Sequence, residues 1–245
     1  MRIGLFSKLI ASFIIILSLS FLLPTFKFSN TEALIASATF LYGVLYGFEI
    51  SIVLGNFSQL KSFLATETGG LVSVYHLSQT IGEDFSKEVG DRIENYLKKA
   101  IDVPLSKHLS TNKEFFDIFT PLRTVKVEGN EKNSALDYIN AGLYYIPQAR
   151  SQISVVAPRV VGIPEWVMLI TLGLILVAVI LIGREPNVIL KIASAVFATT
   201  VVGSLLLLNE IDNNRIQEDR LEKEVFNDTL EAIGRQRYNG GSSAQ

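Results

Sequence analysis

The stretch from Ala33 to Gly55, ALIASATFLYGVLYGFEISIVLG, holds a single ionisable residue, Glu49. A helix needs about 20 mostly apolar residues to cross roughly 30 Å of hydrocarbon, so this segment reads as a span. Two further regions qualify, Leu9 to Phe26 and Trp166 to Leu208. The second of these is long enough for two passes, with Gly183-Arg184-Glu185-Pro186-Asn187 as the turn between them. Four spans follow, at about 9–26, 33–55, 165–183 and 188–208. Backbone polar groups in lipid must satisfy one another, so spans of this length are helices. The composition agrees: 49% of the residues are hydrophobic and 19% charged.

Residues 1–26 have a positive start (Arg2, Lys8) like a secretory signal. Their apolar core is long, and Pro24-Thr25-Phe26-Lys27-Phe28 offers no small-residue cleavage site. We read an uncleaved first span, joined by the short link Lys27–Glu32 to the second as an antiparallel hairpin. Residues 56–161 form the one sizeable polar region. Phe57, Leu60, Leu64, Leu71, Val74 and Leu77 recur at helical steps. Phe85, Val89, Ile93 and Ile101 do the same, as do Leu136, Ile139, Leu143 and Ile146. Asp84 and Ser110 or Thr111 are expected N-caps. Thr124–Glu128 alternates like a strand but runs into Gly129-Asn130, which predicts a turn. Interspersed acids and bases from Glu83 to Lys132 predict a solvated helical surface.

The third span opens with Pro164 and Glu165, a proline and a carboxylate suited to a first helical turn. Trp166, the only tryptophan, sits where aromatic belts occur. After the fourth span comes a charged helical tail over 209–238, and 239–245 reads as disordered. The expected fold is therefore all-α: hairpins of spans at 1–55 and 162–208, with a helical domain at 56–161 between them. With four spans, both termini and the helical domain share one side. That side carries Arg2, Lys8, Lys61, Arg150, Arg159, Arg215 and Arg220, against Lys27, Arg184 and Lys191 on the other. The positive-inside rule then puts the termini in the cytoplasm.

Several function classes are excluded or disfavoured. The chain has no cysteine, so no thiolate site exists, and a net charge of −2 gives no footprint for nucleic acid. No hydrolase elbow, zinc helix, phosphate loop or dinucleotide fingerprint is present, and an enzyme is not expected. Glu67, His76 and His108 fall in the polar region, where lone histidines are expected at the surface or in packing.

The residues that draw attention lie on the second span. Tyr42, Tyr46, Glu49, Val53 and Asn56 share one stripe at helical spacing. Either this stripe faces water or another subunit, with Glu49 touching permeating ions, or the helix leaves the bilayer near Ser51 and Glu49 sits at the interface. Gly43 and Gly47 form a GxxxG pair beside Phe40, a face that lets helices approach closely. Past the fourth span, Glu210, Asp212, Asn213 and Asn214 gather hard oxygens of the kind calcium takes. A solvated helix exit with capping residues explains the same four.

The run FLYGVLYGFEISIVLGNFSQLKSFLATETGGLVSVYHLSQTIG resembles the second span and following helix of the bestrophin-like prokaryotic membrane proteins, relatives of the bestrophin channels. Ile163-Pro164-Glu165-Trp166 and Leu207-Leu208-Asn209-Glu210-Ile211-Asp212 carry the resemblance through the second half, so that it covers about Ala33 to Ile233. It implies four spans, cytosolic termini, a cytosolic helical domain, and a homo-pentamer in a prokaryotic inner membrane whose second span lines an axial pore. The pore-lining candidates are then Phe40, Tyr42, Gly43, Tyr46, Gly47, Glu49, Val53 and Asn56. The acidic run after the fourth span resembles in position the calcium clasp of animal bestrophins, which makes Glu210 and Asp212 candidate ligands. That clasp is a dense acidic string, whereas only two acids stand here among asparagines. The tryptophan-rich exit of the animal second span is replaced by Asn56-Phe57-Ser58. Expected partners are the bilayer, other copies of the chain and inorganic ions, with no resident cofactor unless calcium binds. Glu49→Gln should change ion selectivity if the polar stripe lines the pore. A non-conducting scaffold that binds a partner through the cytosolic helices is the alternative, and a divalent-cation sensor is a third.

Overall fold

The computed structural model describes residues 2–26, 30–158, 160–183, 187–212 and 218–240. The link residue Lys27, the turn residues Arg184, Glu185 and Pro186, Arg159, the oxygen-bearing Asn213 and Asn214, Arg215 and the end 241–245 lie outside them, as does the side chain of Arg220. Among the described residues every regular element is helical: α1 Arg2–Leu22, α2 Thr31–Ile81, α3 Glu83–Ile101, α4 Asn112–Asp117, α5 Asn130–Val156, α6 Ile163–Ile182, α7 Val188–Asp212 and α8 Glu218–Ala232, with two short 3₁₀ segments at Leu105–Thr111 and Thr120–Arg123. Four of these, α1, α2, α6 and α7, are long and apolar enough to cross a membrane. The chain divides into two compact units, 1–55 with 159–216 and 56–158 with 217–245. Helix α2, 51 residues without a break, contributes to both.

In the first unit α1 and α6 both pack against α7. Small residues make the approach close. A Cβ built on Gly173 of α6 would lie 3.2 Å from Leu205 and 3.4 Å from the Tyr42 ring. Three small clusters form the interior, around Ile16 and Ala195, around Tyr42 and Leu176, and around Val53 and Leu169. Most of the remaining apolar surface points outward, among it Phe6, Ile14, Val167, Leu174 and Phe197. That is the arrangement hydrocarbon rewards and water penalises.

The second unit has the ordinary soluble pattern, with an apolar stripe on each helix turned inward. Leu60, Leu64, Leu71 and Val74 of α2 meet Val89, Ile93, Tyr96 and Leu97 of α3 and Ile139, Ile146 and Ile153 of α5. Each such side chain contributes about 1.5–3 kcal/mol by leaving water. Gly70 lets α2 and α5 close up, since a Cβ there would lie 2.6 Å from Ile146. The charged tail helix α8 belongs to this unit and buries Phe226 and Leu230 in the same core.

Two local expectations change. Asp84 lies in the first turn of α3, and Gly82 holds the cap position, so the carboxylate acts on the helix dipole rather than as a cap. Thr111 occupies the N-cap of α4, but its hydroxyl bonds the His108 carbonyl at 2.7 Å. Helix α5 continues without a break through Pro147. The segment Val125–Glu128 carries no regular structure, and Gly129, at φ +103°, makes the entry to α5 in a conformation that side chains rarely adopt.

Candidate functional site

The membrane part of α2 has two faces, and the structure separates them. Tyr42 is 6% exposed, and its hydroxyl lies 2.7 Å from Ser204 Oγ and donates to the Val201 carbonyl on α7 at 3.2 Å. Tyr46 stacks on it with ring centres 6.0 Å apart. Glu49 is buried at 5% exposure, and the charges that act on it are those of Glu165 on α6 and Asp212 on α7. Val53 is buried in the cluster with Leu169 and Leu208. The polar stripe thus faces the chain's own helices. Asn56, in the second unit, donates to the Val156 carbonyl at 2.6 Å.

The opposite face is open. Phe40 is 69% exposed, and Val44 and Phe48 are exposed too. Gly43 and Gly47 are exposed, and a Cβ built on either would meet no atom within 4 Å. Spacing alone put both faces on the same helix; only packing against α6 and α7 told them apart.

The acids after the fourth span have partners of their own. Asp212 is buried, and one carboxylate oxygen accepts the backbone N–H groups of Val160 (3.0 Å) and Val161 (3.1 Å). The other accepts the Trp166 indole N–H at 3.3 Å. Glu210 lies 3.9 Å from the Lys8 ammonium. Among the described residues no three His, Asp or Glu side chains are grouped to hold a metal ion. Asp212 instead fastens the entry to α6 onto the end of α7. Asp212→Asn turns an acceptor into a donor at one of these positions. The expected outcome is a loss of about 1–3 kcal/mol from a broken buried contact, seen as a shift in emission of the only tryptophan.

The largest polar construction lies elsewhere, in the core of the second unit. Glu67 of α2, Tyr96 of α3, His108 of the first 3₁₀ segment and Arg150 of α5 are all buried, none more than 1% exposed. His108 Nε2 donates to Glu67 Oε2 at 2.8 Å, and Arg150 Nη1 donates to Oε1 at 3.0 Å. The Tyr96 hydroxyl donates to Glu67 and accepts from Arg150. The second guanidinium nitrogen of Arg150 donates to Thr111 (3.1 Å) and Asn112 (3.0 Å). The guanidinium lies over the rings of Tyr96 and Phe115, 4.8 and 4.4 Å from their centres. The imidazole stacks on Phe226 of α8 at 5.8 Å, and its Nδ1 is buried without a hydrogen-bond partner.

Burial alone would raise the Glu67 carboxyl. The charge and hydrogen bond of His108, the charge of Arg150 and the Tyr96 hydroxyl outweigh it and hold the carboxyl below its ordinary value. Burial, and then the Glu67 charge, push the Tyr96 phenol well above its own. The cluster is buried, and its hydrogen bonds tie α2, α3 and α5 together. A carboxyl lowered on folding stabilises fully above its ordinary range near 4.5 and loses that contribution as pH falls through the lowered value. Hydrogen exchange in α2 and α5 should therefore accelerate in acid below about pH 4.5, and Glu67→Gln should flatten that acid limb.

Neither histidine was expected to pair with an acid. His76 is exposed, as a surface residue should be. His108 is fully buried against Glu67. The signal for Glu67 was present: it stands at helical spacing between Leu60, Leu64, Leu71 and Val74, a carboxylate inside an apolar stripe. Arg150, counted as a charge near a span end, is spent inside the core. Without it the basic residues still favour the side of the termini, six against three.

Four helices fit to cross a bilayer, with a helical unit inserted between the second and third, define an all-α membrane protein. The family model described as the Bestrophin-like domain matches residues 30–214, and the chain belongs to that family. The match covers the described helices α2 to α7 and leaves out α1 and α8. No curated protein and no solved structure matches the chain at a significant level.

Proposed function

We propose that the protein is a non-enzymatic, oligomeric ion channel of a prokaryotic inner membrane. On this reading the termini and the second unit lie in the cytoplasm, and subunits, five by resemblance to bestrophins, surround a pore lined by α2. The observation that carries it is the division of that helix. The face with Tyr42, Glu49 and Val53 is used up inside the subunit, while the face with Phe40, Gly43 and Gly47 has no partner within it. The open face is the one that lines the axis. Glu49 supports the subunit's own packing, so that Glu49→Gln leaves ion selectivity as it was.

The chain has no cysteine, which makes the test direct. Single cysteines at 40, 43 and 47 should react with a water-soluble thiol reagent in the reconstituted protein, and those at 42, 46, 49 and 53 should not. The reverse pattern, or silent bilayers from an intact oligomer, would sink the channel. One observation favours the scaffold reading: Tyr138 and Tyr144 on α5 are 67% and 82% exposed, aromatic surface of the kind partners use. Substitutions there that abolish function, with 40, 43 and 47 unreactive, would select it.

A further inference from the structure

Helices α1 and α2 meet neighbouring residues of α7 and leave a groove between them. Leu9 of α1 lies over Gly203, where a Cβ would come within 2.8 Å of the leucine. Tyr42 of α2 holds to Ser204 and the Val201 carbonyl. A cavity of about 550 Å³ stays open beside these contacts, with Leu9 and Phe13 on one wall, Tyr46 on the other, and Thr200, Gly203 and Ser204 as its floor. The floor looks polar in sequence but is not so to a ligand. Thr199, Thr200 and Ser204 each donate to a carbonyl of their own helix, at 2.7, 3.0 and 2.8 Å. A polar guest would find its donors taken, whereas hydrocarbon loses nothing there.

Shape and charge narrow the occupant. The groove follows α7 from Val196 to Leu207, about 17 Å at 1.5 Å per residue. Leu9, Phe13, Tyr46 and Leu207 give it apolar walls along that length. It suits a single file of methylenes with carbon neighbours at about 3.5–4 Å. At the end marked by Leu9 and Leu207 the next residue of α1 is Lys8, whose side chain is 61% exposed. Glu210 stands 3.9 Å away, at the long limit of an ion pair, so the ammonium keeps donors for an anion. We propose that this groove holds one acyl chain of an anionic membrane phospholipid, whose phosphate lies against Lys8. The assignment is independent of whether the protein conducts.

The test is native mass spectrometry of the full chain, taken into mild detergent from nanodiscs of phosphatidylglycerol and phosphatidylethanolamine. The wild type should retain one phosphatidylglycerol per subunit. Thr200→Phe, which fills the groove from its exposed floor, should lose the lipid-bound species while the oligomer mass and helicity stay unchanged. Thr200→Val, of the same shape as threonine, should keep it. Ile10→Trp fills the groove from the α1 wall and stands in if the phenylalanine variant fails to fold. Lys8→Gln should keep a lipid but lose the preference for the anionic headgroup. Lipid-free wild type overturns the proposal, as does lipid retained by both filled variants. Subunits that come apart on filling would also overturn it, by making the groove the seat of a neighbouring copy.

Discussion

Arg150→Met should strip hydrogen-exchange protection from the core helices of the second unit. Methionine keeps an unbranched apolar stem but removes the charge that lies 3.0 Å from the buried Glu67 carboxylate and 4.4 Å from the Phe115 ring centre. Breaking a buried ion pair by removing one partner costs about 3–5 kcal/mol, because the other charge is left unpaired away from water. That is a large share of the roughly 5–15 kcal/mol that holds a domain together. Adding Glu67→Gln to Arg150→Met should restore much of the protection, since the carboxylate left without its guanidinium is then removed as well. Exchange mass spectrometry over α2, α3 and α5 reads both results, and emission of Trp166, in the other unit, serves as a control. Unchanged exchange in the single variant would show that the cluster carries no such weight.

The second large effect is expected on conduction. Gly43→Leu with Gly47→Leu should abolish measurable current from the reconstituted protein. Within one subunit a Cβ at either position meets nothing within 4 Å, so the added side chains start into open space. Glycine inside a helix is also worse than alanine by about 0.5–1 kcal/mol, so the helix itself is not weakened. A loss of current with helicity and oligomer mass intact would place this face at the axis. Normal current from the leucine variant would remove it from the pore, and loss of the oligomer would make it a subunit contact instead.

Much of this architecture was legible along the chain. Helix α2 announced itself through an apolar run of sufficient length, followed by Leu60, Leu64, Leu71 and Val74 at helical spacing. Periodicity of that kind reports burial directly, whatever the partner. The resemblance carried by FLYGVLYGFEISIVLG led to the family in which the chain belongs. Less legible were the residues whose meaning depends on what lies opposite. Tyr42 and Phe40 are both aromatic residues on one apolar helix, and nothing in their spacing says which meets Ser204. Asp212 looked like a free oxygen ligand because its three N–H donors come from 160, 161 and 166, far off in sequence.

The sequence by itself determined that α2 is one helix leaving an apolar layer, with glycines on one side and hydroxyls and a carboxylate on the other. Those are properties of composition and of 3.6 residues per turn, and no partner can alter them. Only the tertiary structure decided which side is spent within the subunit and which is left open. It also gathered Glu67, Tyr96, His108 and Arg150 into one buried charge cluster. The reason is physical: a polar or small side chain is neutral about its surroundings until a donor, an acceptor or a wall is brought to it, and in this chain those come from helices as many as 171 residues away.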